Sequence, residues 1–195
     1  MQGGQCDSST TRPDPRRDRL RRIIEEKSLI TGQTFTLTSG RTSSFFVNLK
    51  QTMLDPEGAN LLADLVLDVM EARGIRNIGG LEMGAVPLVA AVCTKSFNRV
   101  PVNAFFVRKT VKDHGTAQLI DGHLEEGGEV LIIDDVVTTG GSAVKAAEAV
   151  RARGCQVTTI LAIVDRQEGG RENLAQQGFE LISLLRRSDF PGIDD

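Results

Sequence analysis

The 195-residue sequence contains no tryptophan and no tyrosine, so no chemical step can rest on an indole or a phenol. Only two histidines are present, His114 and His123, which argues against a multi-histidine metal centre. Three cysteines, Cys6, Cys93 and Cys155, lie far apart and form no C-x-x-C pair. That pattern suits a reducing compartment with spare or buried thiols, not a disulfide framework. No apolar run approaches the roughly 18 residues of a membrane span. The first residues also lack the apolar stretch of a signal peptide. The expectation is a soluble cytoplasmic protein. Charge of one sign is scarce too, with 23 basic against 26 acidic side chains and a formal net charge of −3. This balance argues against a bulk nucleic-acid binder, although not against a local basic patch.

What is present is ordinary globular material: 40% hydrophobic residues and 20 glycines, in a chain long enough for one domain with a real core. Residues 1–13 are polar and aperiodic and are expected to be a disordered tail. Residues 14–195 are expected to form a single domain, with 14–50 as a cap and 51–190 as an α/β core. Asp14-Pro15 reads as a helix start. Leu20, Ile23, Ile24 and Leu29 give an apolar face, and Gly32 an end. Residues 33–38 and 43–50 read as a hairpin. Asp55-Pro56-Glu57 opens a second helix, which Gly74 closes. From there strands and helices alternate, with strands expected at 76–81, 100–107, 118–124, 129–133, 156–164 and 179–185. The helices between are expected at 85–97, 142–153 and 170–177. The fold class implied is α/β, an open, mainly parallel twisted sheet flanked by helices, with a small N-terminal helix and hairpin as cap.

Segment 129–150, EVLIIDDVVTTGGSAVKAAEAV, carries the most information. A buried strand leads to two acids, a small-residue loop and a helix. In open α/β sheets ligands sit at the carboxyl ends of strands, so Asp134 and Asp135 stand at the ligand edge. The loop TTGGS lets backbone N–H groups approach a phosphate, and the helix N-terminus favours the same anion. Two carboxylates would repel a bare phosphate, so they are expected to meet sugar hydroxyls or a metal ion. A sugar phosphate satisfies both halves. The bland alternative is a tight turn with capping residues, but an acid pair at the end of a buried strand costs too much for that. The segment is neither a P-loop nor a dinucleotide fingerprint.

Residues 108–115, RKTVKDHG, place Arg108, Lys109, Lys112 and His114 in one loop after a strand. Such cations suit a leaving group that gains negative charge. On composition alone, a mobile lid and a plain solvated loop are equal readings. The segments FTLTSGRTSSFFVN (35–48) and AIVDRQEGGRENL (162–174) complete the informative set. Phe45 and Phe46 offer ring faces, or ordinary core packing. Arg166 offers a bidentate grip on a carboxylate, or a surface ion pair with Asp165 or Glu168. The five arginines at 16, 17, 19, 21 and 22 read as a solvated helix face, His123 as a surface residue, and Cys93 as core.

VLIIDDVVTTGGS resembles the phosphoribosyl-pyrophosphate (PRPP) motif of the phosphoribosyltransferases, and R-K-x-x-K-x-H-G resembles the catalytic loop of the orotate phosphoribosyltransferase family. The hairpin and the Arg166 segment are similar to the same family, and the likeness runs from about residue 20 to 186. It implies a Mg2+-dependent enzyme that takes PRPP and orotate and serves pyrimidine synthesis. It implies PRPP binding by Arg108, Lys109, Lys112, His114, Asp134, Asp135, Val136, Val137, Thr138, Thr139, Gly140, Gly141 and Ser142. Catalysis would fall to Lys112, His114 and Asp135, and orotate to Thr138, Arg166, Phe45 and Phe46. It also implies a homodimer whose 108–117 loop reaches the neighbouring site, magnesium held mainly by PRPP and not by a protein metal site, and no nucleic-acid or membrane partner. Two positions depart from the family pattern. Thr38 and Met83 stand where many members have lysine. Rival readings are a phosphoribosyltransferase for a purine and a non-catalytic PRPP sensor.

Overall fold

The computed structural model describes residues 14–36, 42–110 and 118–193. The expected tail 1–13 and the side chains of Cys6, Thr38, Lys112 and His114 lie outside those residues.

Helix α1 (Pro15–Lys27) starts where expected. The Asp14 carboxylate accepts from the Arg16 amide, and Leu20, Ile23 and Ile24 are buried. It ends five residues before Gly32. Ser28 caps it by donating its N–H to Ile24 O, and its own carbonyl accepts from Asn48 N–H at 2.8 Å. The Ser28 and Thr52 hydroxyls meet at 2.6 Å in the interior. Strand β1 (Leu29–Thr36) therefore begins at Leu29, which pairs with Val47 of β2 (Thr42–Val47). Gly32, at φ +84°, sits where the register of this antiparallel pair shifts, between Thr31 and Phe35. An irregular ladder is a common use of glycine. A short helix α2 (Lys50–Met53) occupies the end of the expected second strand.

Helix α3 (Pro56–Arg73) is capped by Asp55, whose carboxylate accepts from Glu57 and Gly58 amides, and closed by left-handed Gly74. The alternation then follows: β3 (Asn77–Gly79), α4 (Val86–Ser96), β4 (Asn103–Val107), β5 (Ile120–Gly122), β6 (Glu129–Val137), α5 (Gly141–Arg151), β7 (Gln156–Asp165), α6 (Gly170–Gln176) and β8 (Glu180–Arg186). A 3-10 turn over Arg187–Asp189 follows β8. The six-stranded sheet has order β5-β4-β3-β6-β7-β8. Every neighbouring pair in it is parallel except β4 with β5.

Alternate residues of the central strands feed two cores. Leu131, Ile133, Leu161 and Ile163 join α3, α4 and the buried side of the cap. Val130, Ile132, Ile160 and Ala162 join Ala143, Ala146, Ala147 and Val150 of α5 and Leu174 of α6. Burial on both faces explains the almost continuous apolar reading of β6 and β7. Strand β6 runs four residues beyond the expected 133, because its ladder with β7 continues from Asp134↔Ala162 to Val137↔Asp165. The acid pair thus lies within the strand's last turns. Cys93 is exposed, against expectation; the buried face of α4 is formed by Leu88, Val89, Val92 and Ser96.

Candidate active site

Strand order reverses between β3 and β6: the chain builds outward from β3 to β4 on one side, then crosses to β6 on the other. Such a reversal opens a crevice at the carboxyl ends of the two strands. A cleft of about 720 Å³ lies there. Its walls come from the β2–α2 junction (Phe46 to Lys50), the loop after β3 (Leu81 to Gly84), Lys109, the end of β6 with its loop, Lys145 and Arg166.

Close packing makes room for it. A Cβ on Gly80 would come within 2.1 Å of the Ile133 carbonyl oxygen, and one on Gly84 within 2.9 Å of Asp135 Oδ1. The loop after β3 is thereby pressed against the acid pair.

Asp134 and Asp135 both line the cleft. Asp135 Oδ1 accepts from the Val136 amide at 2.9 Å. Asp134 is enclosed by protein except for an edge toward the cleft. Burial, with repulsion from the adjacent Asp135 carboxylate, pushes its pKa up to about 8. A carboxyl that resists ionising in these surroundings is suited to hydroxyl partners or to a cation that restores its charge. Among the described residues no group of three or more His, Cys, Asp or Glu could hold a metal ion. The pair offers hard carboxylate oxygens of the kind a divalent cation takes from protein.

The loop 138–142 lies beside the acids. Thr138, Thr139, Gly140, Gly141 and Ser142 all line the cleft. Gly140 is left-handed at φ +84°, and no side chain caps the first turn of α5. The free amides and dipole of that turn favour an anion. Asn173 of α6 holds the loop by donating to Thr139 O at 2.7 Å. Lys145, one turn into α5, adds a positive charge that the sequence did not single out. Val136 faces the cleft, whereas the Val137 side chain is wholly buried in the core. Any contribution of Val137 to a ligand is through its backbone.

Arg166 is only 2% exposed yet lines the cleft. Its Nε donates to Glu168 Oε1 at 2.7 Å and an Nη to Ser43 Oγ at 2.9 Å. The guanidinium lies 4.1 Å from the Phe45 ring centroid. It is thus a buried cation that does pair with Glu168, one of the two partners of the plainer reading, but away from the surface; the other, Asp165, pairs with Arg171. Phe45 is buried beneath Arg166 and is absent from the cleft wall, so it supports the arginine and offers no free face. Phe46, 40% exposed, is the aromatic that faces the cleft, its ring 5.5 Å from that of Phe35.

The cations after β4 divide. Lys109 lines the cleft, and its amide donates to Glu82 Oε1 at 3.0 Å. Glu82 therefore ties the loop after β3 to the loop after β4, a role not legible in the sequence. Arg108 turns away: its Nε donates to Asp121 Oδ2 at 2.5 Å and its guanidinium lies 5.7 Å from the Phe106 ring centroid. Lys50, like Lys145, is a cleft cation that the sequence did not single out; its Nζ lies 4.0 Å from Asp135 Oδ2.

The chain is similar to known proteins over most of its length. Residues 52–183 match the family model described as the phosphoribosyl transferase domain. An orotate phosphoribosyltransferase of Rhodopseudomonas palustris (strain BisB5) is 47% identical over 179 residues, covering 89% of this chain and 95% of that protein. One from Aquifex aeolicus is 40% identical over 176 residues, covering 89% and 96%. Among solved structures, the Mycobacterium tuberculosis H37Rv orotate phosphoribosyltransferase in complex with PRPP superposes with a TM-score of 0.74 at 30% identity. That match covers 90% of this chain and 98% of the other.

Proposed function

The chain belongs to the orotate phosphoribosyltransferase family, and from that premise we propose that it transfers the phosphoribosyl group of PRPP to orotate. The products are orotidine 5′-phosphate and pyrophosphate, within pyrimidine synthesis. The observation that carries the reading is the buried Arg166, held over Phe45 at the same cleft as the acid pair and the Thr/Gly/Ser loop.

In this reading the loop 138–142 and the first turn of α5 bind the 5-phosphate. Asp134 and Asp135 accept from the ribose hydroxyls. N1 of orotate forms its bond to C1 of the ribose and gives up its proton as the bond from C1 to the pyrophosphate oxygen breaks; the bonding pair leaves with pyrophosphate, which takes up the proton. The sugar passes through a cationic, oxocarbenium-like state, which the carboxylates favour. Arg166 pairs with the orotate carboxylate, Phe46 packs against the ring, and Thr138 supplies a hydroxyl at the same place. A purine offers no carboxylate to such a cation. Magnesium brought in with PRPP would offset charge on the leaving pyrophosphate, and Asp134 and Asp135 would be the protein carboxylates able to help hold it.

Lys109, together with Lys112 and His114 outside the described residues, would close over the pyrophosphate and keep water from the reactive sugar. Arg108 would have to leave Asp121 to join them. The same reading has residues 14–195 act as one domain in a cytoplasmic homodimer, with the 108–117 loop serving the neighbouring site.

Base competition tests the specificity. With PRPP and Mg2+ present, orotate is consumed, while adenine, hypoxanthine and uracil are left unchanged. Consumption of a purine in preference to orotate would discard the role given to Arg166.

A further inference from the structure

The loop after β3 carries no cation. Residues 80–85 read Gly-Leu-Glu-Met-Gly-Ala, and Met83, where family members often have lysine, is 58% exposed at the cleft. A pyrophosphate leaving C1 would meet there an uncharged side chain and the Glu82 carboxylate. That is a poor surface for a polyanion.

Lys50 stands opposite. It is the first residue of α2, placed by the turn out of β2. Its side chain is half exposed, and Nζ lies 4.0 Å from Asp135 Oδ2. Gly84 presses on the other oxygen of the same carboxylate. Lys50, Asp135 and the loop holding Met83 therefore share one part of the cleft. Lys145 and the first turn of α5 serve the loop 138–142.

The contact with Asp135 is too long for a hydrogen bond, and the ammonium makes none among the described residues. The contrast is with Lys95, which closes on Asp64 at 2.6 Å and on Asn60 Oδ1 at 2.6 Å. Lys50 thus lines the cleft with N–H donors that no hydrogen bond among the described residues takes up.

We propose that Lys50 binds the pyrophosphate group of PRPP, supplying from the β2–α2 junction the charge that Met83 lacks. The proposal rests on the transferase reading above. A lysine that merely neutralised Asp135 would affect every ribose-bearing ligand alike, whereas one that grips pyrophosphate affects only ligands that carry it.

The test compares Lys50→Ala and Lys50→Arg with the wild type in both directions of the reaction. Loss of a charge-assisted contact is expected to raise the KM for PRPP, and for pyrophosphate in the reverse direction, about tenfold or more. KM for orotate and for orotidine 5′-phosphate should stay within about twofold. The arginine variant should recover most of the loss. An unchanged KM for pyrophosphate, or an equal rise for orotidine 5′-phosphate, would overturn the proposal. Calorimetric binding of inorganic pyrophosphate with Mg2+ to the same proteins reads the contact without turnover. It decides the role of Lys50 even if the wild type consumes no orotate, a result that would instead overturn the transferase reading.

Discussion

Asp134 and Asp135 are neighbours in sequence with unequal surroundings. Asp134 is enclosed and faces its partner's charge, so its carboxyl holds its proton from the ordinary 3.8 up to about 8. A group that prefers its proton more in the folded than in the unfolded chain favours the fold fully below its unfolded pKa. That contribution is lost as pH rises through the folded value. The ligand-free protein should therefore lose stability from this group between pH 4 and pH 8. Asp134→Asn removes the titration. Thermal melts should show the variant more stable than wild type at pH 8, by about 1 kcal/mol or roughly 3 °C, with the gap closing toward pH 5. A gap of constant size across that range would mean that Asp134 does not titrate there. The acid pair was legible in the sequence because two carboxylates cannot end a buried strand without a purpose. Lys50 was not, because a lysine after an apolar strand looks like any solvated end. Arg166 was legible as a candidate, but its burial depends on Ser43, 123 residues away in sequence.

At the scale of elements, the β6–loop–α5 unit followed from local chemistry, as its strand, glycines and helix all agree. The α1–β1 boundary did not. The helical spacing continues to Leu29, but Ser28 is claimed by Asn48 and Thr52 from beyond the hairpin, and Leu29 by Val47. Tertiary pairing outweighs local periodicity there. The loop of the central unit depends on Gly140. Its φ is +84°, and a Cβ would come within 2.8 Å of Leu174. Alanine at this position is expected to cost about 1 kcal/mol in backbone strain alone. By moving the first turn of α5 it should also weaken PRPP binding more than orotate binding. Chemical denaturation with PRPP and orotate titrations checks both, and equal losses for the two ligands would contradict the placement of the phosphate.

For the whole molecule, the site follows from topology. The sheet reverses between β3 and β6, and a polar cleft opens at that seam between two apolar cores. The alternation of strands and helices made this layout legible in advance. The cap's contribution was not, since Phe46 and Lys50 reach the cleft only through the way α1 and the hairpin pack over one face. At this seam, in the proposed reaction, orotate is joined to the sugar of PRPP. The most direct measurement follows orotate absorbance and pyrophosphate release together, in purified protein with Mg2+. Orotate should disappear only when PRPP is present, with one pyrophosphate released for each orotate consumed. Folded protein that binds PRPP but leaves orotate untouched would contradict it.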